Sequence, residues 1–317
     1  MTNSPAWHVL EAFVMLLLPL LMAGGLVLVE RRLLGQLQDR YGPNRVGIFG
    51  EMQVLADALK LLGKEDWTPP FADKAVFVSA PAIILISVLA TFVVVPLTGG
   101  FVVADLNVGL LFFLAMSSLG VYSVALAGWS SHSKYSLLGA LRAAAQMLGY
   151  EVFMGMSLLG VVMQAGSFNL SAIVRAQSHL WYVVPQFVGF VLFFVAGLAE
   201  TRRLPLDLPE AESELVAGYH TEYSAMKFGV FYVGEYLGIT LISAMMTTLF
   251  FGGWLGPILP GWAWFLTKTS ILIVLIIVVR AALPRLRYDQ LMALGWKIML
   301  PLALLNLLVT AAVILGT

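Results

Sequence analysis

Residues 76–97 read "VFVSAPAIILISVLATFVVVPL", twenty-two residues without a charge. At 1.5 Å per residue a helix of that length measures about 33 Å, enough to cross a hydrocarbon core about 30 Å thick. Seven further runs of the same character flank it, so the predicted spans are 9–29, 76–97, 107–127, 144–165, 181–199, 228–251, 262–283 and 298–315. The expected fold is all-α: a polytopic membrane protein of eight transmembrane helices, forming one integral membrane domain over 1–317. No internal repeat, low-complexity tract or linker divides it.

Composition agrees. Sixty per cent of the residues are apolar and 11% charged, against about 25% charged in soluble domains. The 18 basic and 18 acidic residues cancel, which leaves no net field to attract nucleic acid. There is no cysteine, so disulfides, thiolate-held zinc and an iron–sulfur cluster carried by this chain alone are excluded. The first apolar run is followed, not preceded, by its positive charges ("ERR"), the reverse of a cleaved signal peptide, and is read as a retained span.

Eight spans sort the connecting segments into two sets. Loops 30–75, 128–143, 200–227 and 284–297, with the adjoining helix ends, hold sixteen of the 18 Lys and Arg; Arg175 lies on the other side and Lys268 inside a span. By the positive-inside rule the basic set faces the cytoplasm, and both termini face the opposite side. Trp181, Trp262 and Trp264 then fall at the non-cytoplasmic interface, where aromatic belts form.

In the first loop, "ERRLLGQLQDR" continues the first helix beyond the bilayer, and "YGPNRVG" ends it through Gly42, Pro43 and Gly47. Met52, Leu55, Leu59 and Leu62 then share one helical face, which predicts a short amphipathic helix in the membrane interface.

The loop "DLPEAESELVAGYHTEY", residues 207–223, is unusual in another way. With Glu200 just upstream, six of the 18 acids (Asp207, Glu210, Glu212, Glu214 and Glu222 being the others) crowd this one region. A helix start with Asp207 as N-cap and Glu210 closing a capping box explains part of this, with Glu212 and Glu214 at the positive end of the dipole. It does not explain Glu222, or the two acids inside spans. Glu151 and Glu235 lie nine and eight residues in from Arg142 and Lys227, roughly 12–14 Å along a helix and near the bilayer midplane. An intramembrane acid is expensive unless paired, and by default marks a functional site. Pairing of Glu151 with Arg142, or of Glu235 with neighbouring Tyr and Ser, is the structural alternative. Two acids at one depth below an acidic loop predict a proton relay.

The four histidines lie in loops or near span ends, so haem ligation is not expected. No GxGxxG or Walker sequence is present, and the single GxxxG at Gly234 and Gly238 reads as helix packing. Any redox centre belongs to a partner, and no metal site is expected.

"ERRLLGQLQDRYGPNRVG", "LADALKLLGKEDWTP" and "DLPEAESELVAGYHTEYSAMKFGVFYVGEY", with "RAALPRLRYDQLMALGWK" before the last span, closely resemble the H-type membrane subunit of respiratory complex I, the proton-pumping NADH:quinone oxidoreductase. The resemblance covers essentially the whole chain. It implies a subunit that is not catalytically complete alone, with quinone as substrate and FMN and iron–sulfur clusters on partner subunits. The implied partners are the peripheral quinone-binding subunits, small membrane subunits and antiporter-like subunits, in a bacterial inner membrane. Carried over by motif, Glu30, Arg31, Arg40 and Asp57, with Arg285 and Arg287, would line the quinone chamber. Asp207, Glu210, Glu212, Glu214 and Glu222 would form the coupling loop, and Glu151 and Glu235 the start of the proton path. The sequence departs from the family at Leu206, usually Phe, and Ala225, usually Gly. A homologous subunit of a membrane-bound hydrogenase and a stand-alone proton-coupled transporter are the alternatives.

Overall fold

The computed structural model describes residues 5–210 and 212–316, with side chains from Leu10 onward except those of Glu212 and Ser213. Among these residues there is no strand, only an isolated bridge between Thr98 and Phe101. Helix α1 (Pro5–Leu37) is 33 residues long, about 50 Å, so it projects well past a bilayer as expected. It stops where Asp39 takes φ +53° and the Arg40 N–H returns to the Gly35 carbonyl at 2.9 Å.

Helix α2 (Gln53–Gly63) follows. Its apolar face is open: Met52 beside its start, Leu55, Leu59 and Leu62 are all more than half exposed. That is the pattern of an interfacial helix whose apolar side awaits lipid. Helices α3 (Lys74–Phe92), α4 (Gly109–Ser130) and α5 (Lys134–Ala165) come next, then the short α6 (Leu170–Ala176), whose N-cap Asn169 accepts from Ala172 N–H at 2.7 Å.

Among the described residues, seven helices are long and apolar enough to cross a membrane. The fifth expected span is shorter than predicted. Instead of 181–199, α7 runs Phe187–Glu200 and has 14 residues, about 21 Å. Pro185 disfavours helical geometry in the residue before it, so the chain makes turns over 181–186. These turns are not left to lipid. Gln177 accepts from Tyr182 N–H (3.2 Å) and Gly252 N–H (2.9 Å) and donates to the Thr248 carbonyl (3.0 Å). Irregular backbone at membrane depth is tolerated where protein satisfies it in this way.

The four-residue α8 (Glu212–Leu215) precedes α9 (Ala225–Phe250), the most deeply buried helix, which packs against α1, α3, α7 and α10 (Gly261–Ala282). The last span is continuous from α11 (Tyr288–Ala293) through a π-helical stretch, Leu294–Met299, into α12 (Leu300–Gly316). The outer helices α1 and α12 carry exposed Leu21 (63%) and Leu308 (69%), as a lipid-facing surface requires.

Candidate functional site: a buried charge cluster beneath an acidic loop

The acidic loop is folded onto the helices by close backbone contact. Gly218 takes φ +58°, and a Cβ there would stand 1.7 Å from the Pro209 carbonyl. A Cβ on Gly139 of α5 would meet the Gly218 backbone at 2.7 Å. Only glycine fits either place, so the loop turns back on itself and lies against α5. The Glu210 backbone N–H hydrogen-bonds the Asp207 carboxyl as the expected cap would, but residues 208–210 form turns and the helix begins only at Glu212. Pro205 and Pro209 bracket this stretch and keep it out of helical geometry.

Beneath the loop lies a cluster of buried ions. Arg203 Nη1 donates to both carboxylate oxygens of Glu30 on α1 (3.0 and 3.3 Å), while its Nε stands 2.7 Å from Glu235 Oε1 on α9. The Nε contact is an ion pair without the alignment of a hydrogen bond. Arg280 of α10 closes on the same Glu30 oxygen. The Arg203 guanidinium also lies over the Tyr236 ring, 4.5 Å from its centroid. One arginine therefore ties the loop to α1 and α9. Removing one partner of such a buried pair costs about 3–5 kcal/mol, because the other charge stays stranded.

The partner of Glu235 is thus Arg203, not the Tyr and Ser considered from sequence. Arg142 does not pair with Glu151 either; it holds Glu214 at 2.5 Å. That ion pair pulls the Glu214 carboxyl below the usual range. Glu151 instead lies beside Ser118 and Ser117 of α4. The Ser117 hydroxyl donates to Glu200 Oε1 at 3.1 Å, on the last residue of α7. Glu200, Arg202, Ser117 and Glu235 all line one internal cavity of about 50 Å³, room for roughly three waters. Around it, Glu151 Oε1, Glu200 Oε2, and Nε and Nη1 of Arg202 are buried without a hydrogen-bond partner. The arrangement runs laterally from Glu235 across the cavity to Glu200, then past Ser117 to Glu151.

Asp207 sits at the loop end of this line. Burial, and then the nearby Glu235 charge, push its carboxyl up to about 7, against the pull of Arg285. His220 Nδ1 is 3.8 Å from Glu210 Oε1. Burial and the Arg202 charge press that imidazole down to about 4, so at neutral pH it is uncharged and forms no ion pair. Glu222 is half-buried at the turn before α9, and the Glu212 side chain lies outside the described residues.

A second feature opens between α1, α2 and α9. It is a cleft of about 320 Å³ whose apolar wall includes Val27, Leu61, Phe228 and Tyr232, near the lower end of small-molecule sites. At its rim Arg31 donates to Asp57 at 2.6 Å and Gln53 donates to the other Asp57 oxygen at 3.1 Å. Burial works to raise the Asp57 carboxyl, but those two hydrogen bonds outweigh it and hold the group below its ordinary value. Of the chamber residues expected by resemblance, Arg31 and Asp57 meet here. Glu30 joins the buried cluster, Arg285 stands near Asp207, Arg40 lies in the open cleft with Tyr41, and Arg287 faces outward, held by Asp289 at 2.6 Å.

Sequence reasoning did not assign site roles to Glu200, Arg202, Arg203 or Arg280. The doublet "RR" at 202–203 reads as one more pair of loop cations by the positive-inside pattern, although its position between two acid-rich stretches was a usable signal.

A protein family described as NADH dehydrogenase matches residues 10–311. The match spans nearly the whole chain, so the chain belongs to that family, and the expected kinship with the complex I membrane subunit is borne out.

Proposed function

We propose that this membrane subunit of the NADH dehydrogenase family receives quinone in the cleft between α1, α2 and α9, and couples its reduction to proton movement along the carboxylate line. The observation that carries this is the double placement of Tyr236. It lines the cleft, and Arg203 lies on its ring while pairing with Glu235. The cleft and the buried acids therefore share one residue contact.

Electrons would come from NADH through flavin and iron–sulfur clusters on partner subunits, and two electrons with two protons convert quinone to quinol. The apolar walls admit the ring and its tail, and the Arg31–Asp57 pair fixes polarity at the rim. A change of unit charge about 10 Å away, at an effective dielectric near 20, shifts a buried group by about 1.7 kcal/mol, more than tenfold in proton occupancy. Arg203 drawn toward the cleft loosens its hold on Glu235, which then takes up a proton. When Arg203 returns, Glu235 ionises and the proton passes through the cavity to Glu200 and on toward Glu151. Asp207, titrating near neutrality, supplies the loop end of the path. Glu210, Glu214 and Glu222 hold the loop's charge, and Arg285 steadies Asp207. On this reading the basic loops face the cytoplasm of a bacterial inner membrane, where the peripheral quinone-binding subunits dock, and both termini face the periplasm. Glu151 lies at the side nearest the antiporter-like and small membrane subunits.

The test is Glu235→Gln against Glu235→Asp in the native membrane assembly. The Gln variant keeps volume and hydrogen bonding but cannot ionise, so coupled NADH-dependent quinone reduction and pumping should fall together by at least tenfold. The Asp variant should keep most of both. Full pumping by an assembled Gln variant would refute the relay.

A further inference from the structure

Arg202 is the buried cation that the charge cluster does not account for. It is 4% exposed, and whereas Arg203 makes ion pairs with Glu30 and Glu235, neither pair includes Arg202. Its Nε and Nη1 have no hydrogen-bond partner. It lines the small cavity together with Glu200 and Glu235. Its guanidinium lies over the face of Tyr219, 5.1 Å from the ring centroid. The backbone there takes φ +53°, a conformation costing about 1–2 kcal/mol in a residue with a side chain. A stranded guanidinium in a low-dielectric site is expensive, yet here it lines the same cavity as two carboxylates from different helices, Glu200 and Glu235.

We propose that Arg202 is a positioning residue of the proton path, the single counter-charge that Glu200 and Glu235 share. Taking the carboxylate line as the path proposed above, a proton leaving the Glu235 carboxyl for the Glu200 carboxylate leaves Glu235 ionised and Glu200 neutral. Arg202 keeps its own proton throughout and faces a negative charge before and after. The transfer thus moves a charge within reach of one fixed cation, and never leaves an uncompensated carboxylate or a lone cation in the cavity. Arg203 cannot do this, because its carboxylate partners are Glu30 and Glu235 and it does not line the cavity beside Glu200. The remaining charged or titratable groups facing Arg202 are Glu210, Tyr219 and His220 from the loop. Of these His220 is neutral in the working range, and Tyr219 is kept protonated by burial.

The experiment uses the native assembly carrying Arg202→Gln or Arg202→Lys, with incorporation checked by NADH oxidation with an artificial acceptor. Without the cation the acids hold their protons to higher pH. The acid limb of the coupled pH–rate profile should move up by about one unit for the Gln variant, with activity at neutral pH down about tenfold. The Lys variant, which keeps charge without the fork, should stay within about half a unit of wild type. An unmoved profile in an assembled Gln variant overturns the inference. If the Gln variant is not incorporated, Arg202→Asn takes its place under the same criterion, and an acid limb displaced by a full unit in the Lys variant also overturns the inference, since fork geometry and not charge would then matter. Failure of the relay itself reads differently: Glu235→Gln would then pump normally whatever Arg202 does.

Discussion

Two buried cations at opposite ends of the bundle show what an unsatisfied charge means. Lys268, inside α10, donates to the carbonyls of Phe251 (2.7 Å), Gly253 (3.1 Å) and Leu255 (2.6 Å), and its ammonium lies over the rings of Trp181 and Trp264. All three of its donors are used. It ties the chain that follows α9 to α10, as a lysine inside a span must if it is to be tolerated. At the loop end, the Glu30–Arg203–Glu235 cluster and its neighbours hold more charges than they can pair. Oxygens of Glu151, Glu200 and Asp207 and two nitrogens of Arg202 have no partner. Full satisfaction marks a structural staple, whereas partial satisfaction around a cavity marks groups whose protonation can change.

The largest effect should come from breaking the cluster at its centre. Arg203→Met strands Glu235, leaves Glu30 to Arg280 alone and is expected to cost about 3–5 kcal/mol. Loss of the assembled complex from membranes, seen on native gels, is the expected result. Normal assembly with normal coupling would erase the contrast between the two ends.

Lys268→Met should rank next. It removes three hydrogen bonds, about 1 kcal/mol each net, and should lower the thermal midpoint of the purified assembly. In whatever assembles, the coupled pH–rate profile should stay where it is, because no proton passes there. A displaced profile would make Lys268 more than a staple.

Asp207 gives a subtler difference. Its folded-state carboxyl titrates at about 7, above the ordinary value near 4. Between those values the folded loop holds a proton that an unfolded loop has lost, so folding stability falls as pH rises through that window. Hydrogen exchange of residues 200–224, corrected for the intrinsic rate, should therefore quicken from about pH 4 to about 7 and level off above 7. In Asp207→Asn that dependence should vanish, and its persistence would place the titration elsewhere.

The smallest effect is expected at Ala225. This residue opens α9 with φ +49°, the region glycine adopts freely, and glycine is usual there in the family the sequence resembles. Ala225→Gly should raise stability by up to about 1 kcal/mol, a shift of a degree or two in the midpoint, without altering activity.

Much of the architecture was legible because a bilayer imposes length and polarity on every span. The 33-residue first helix, the exposed face of Leu55, Leu59 and Leu62, and the buried Glu235 follow from runs of apolar residues and their spacing. The 14-residue α7 was less so, since "WYVVPQF" is as apolar as a helix would need. Only Gln177, reaching from a neighbouring segment to satisfy the turn, shows why the chain can be irregular there.

The sequence by itself determined that this is a helical membrane protein with costly acids in its spans, and its motifs determined the family. Tertiary structure alone decided which charges are paired. Arg203 meets Glu30 across 173 positions of sequence, and Arg280 meets the same acid across 250. Periodicity places a residue on a face of its own helix but carries no information about which helix that face will meet. Ion pairing falls off within a few ångströms, so partners joined only by packing stay invisible until the helices are brought together.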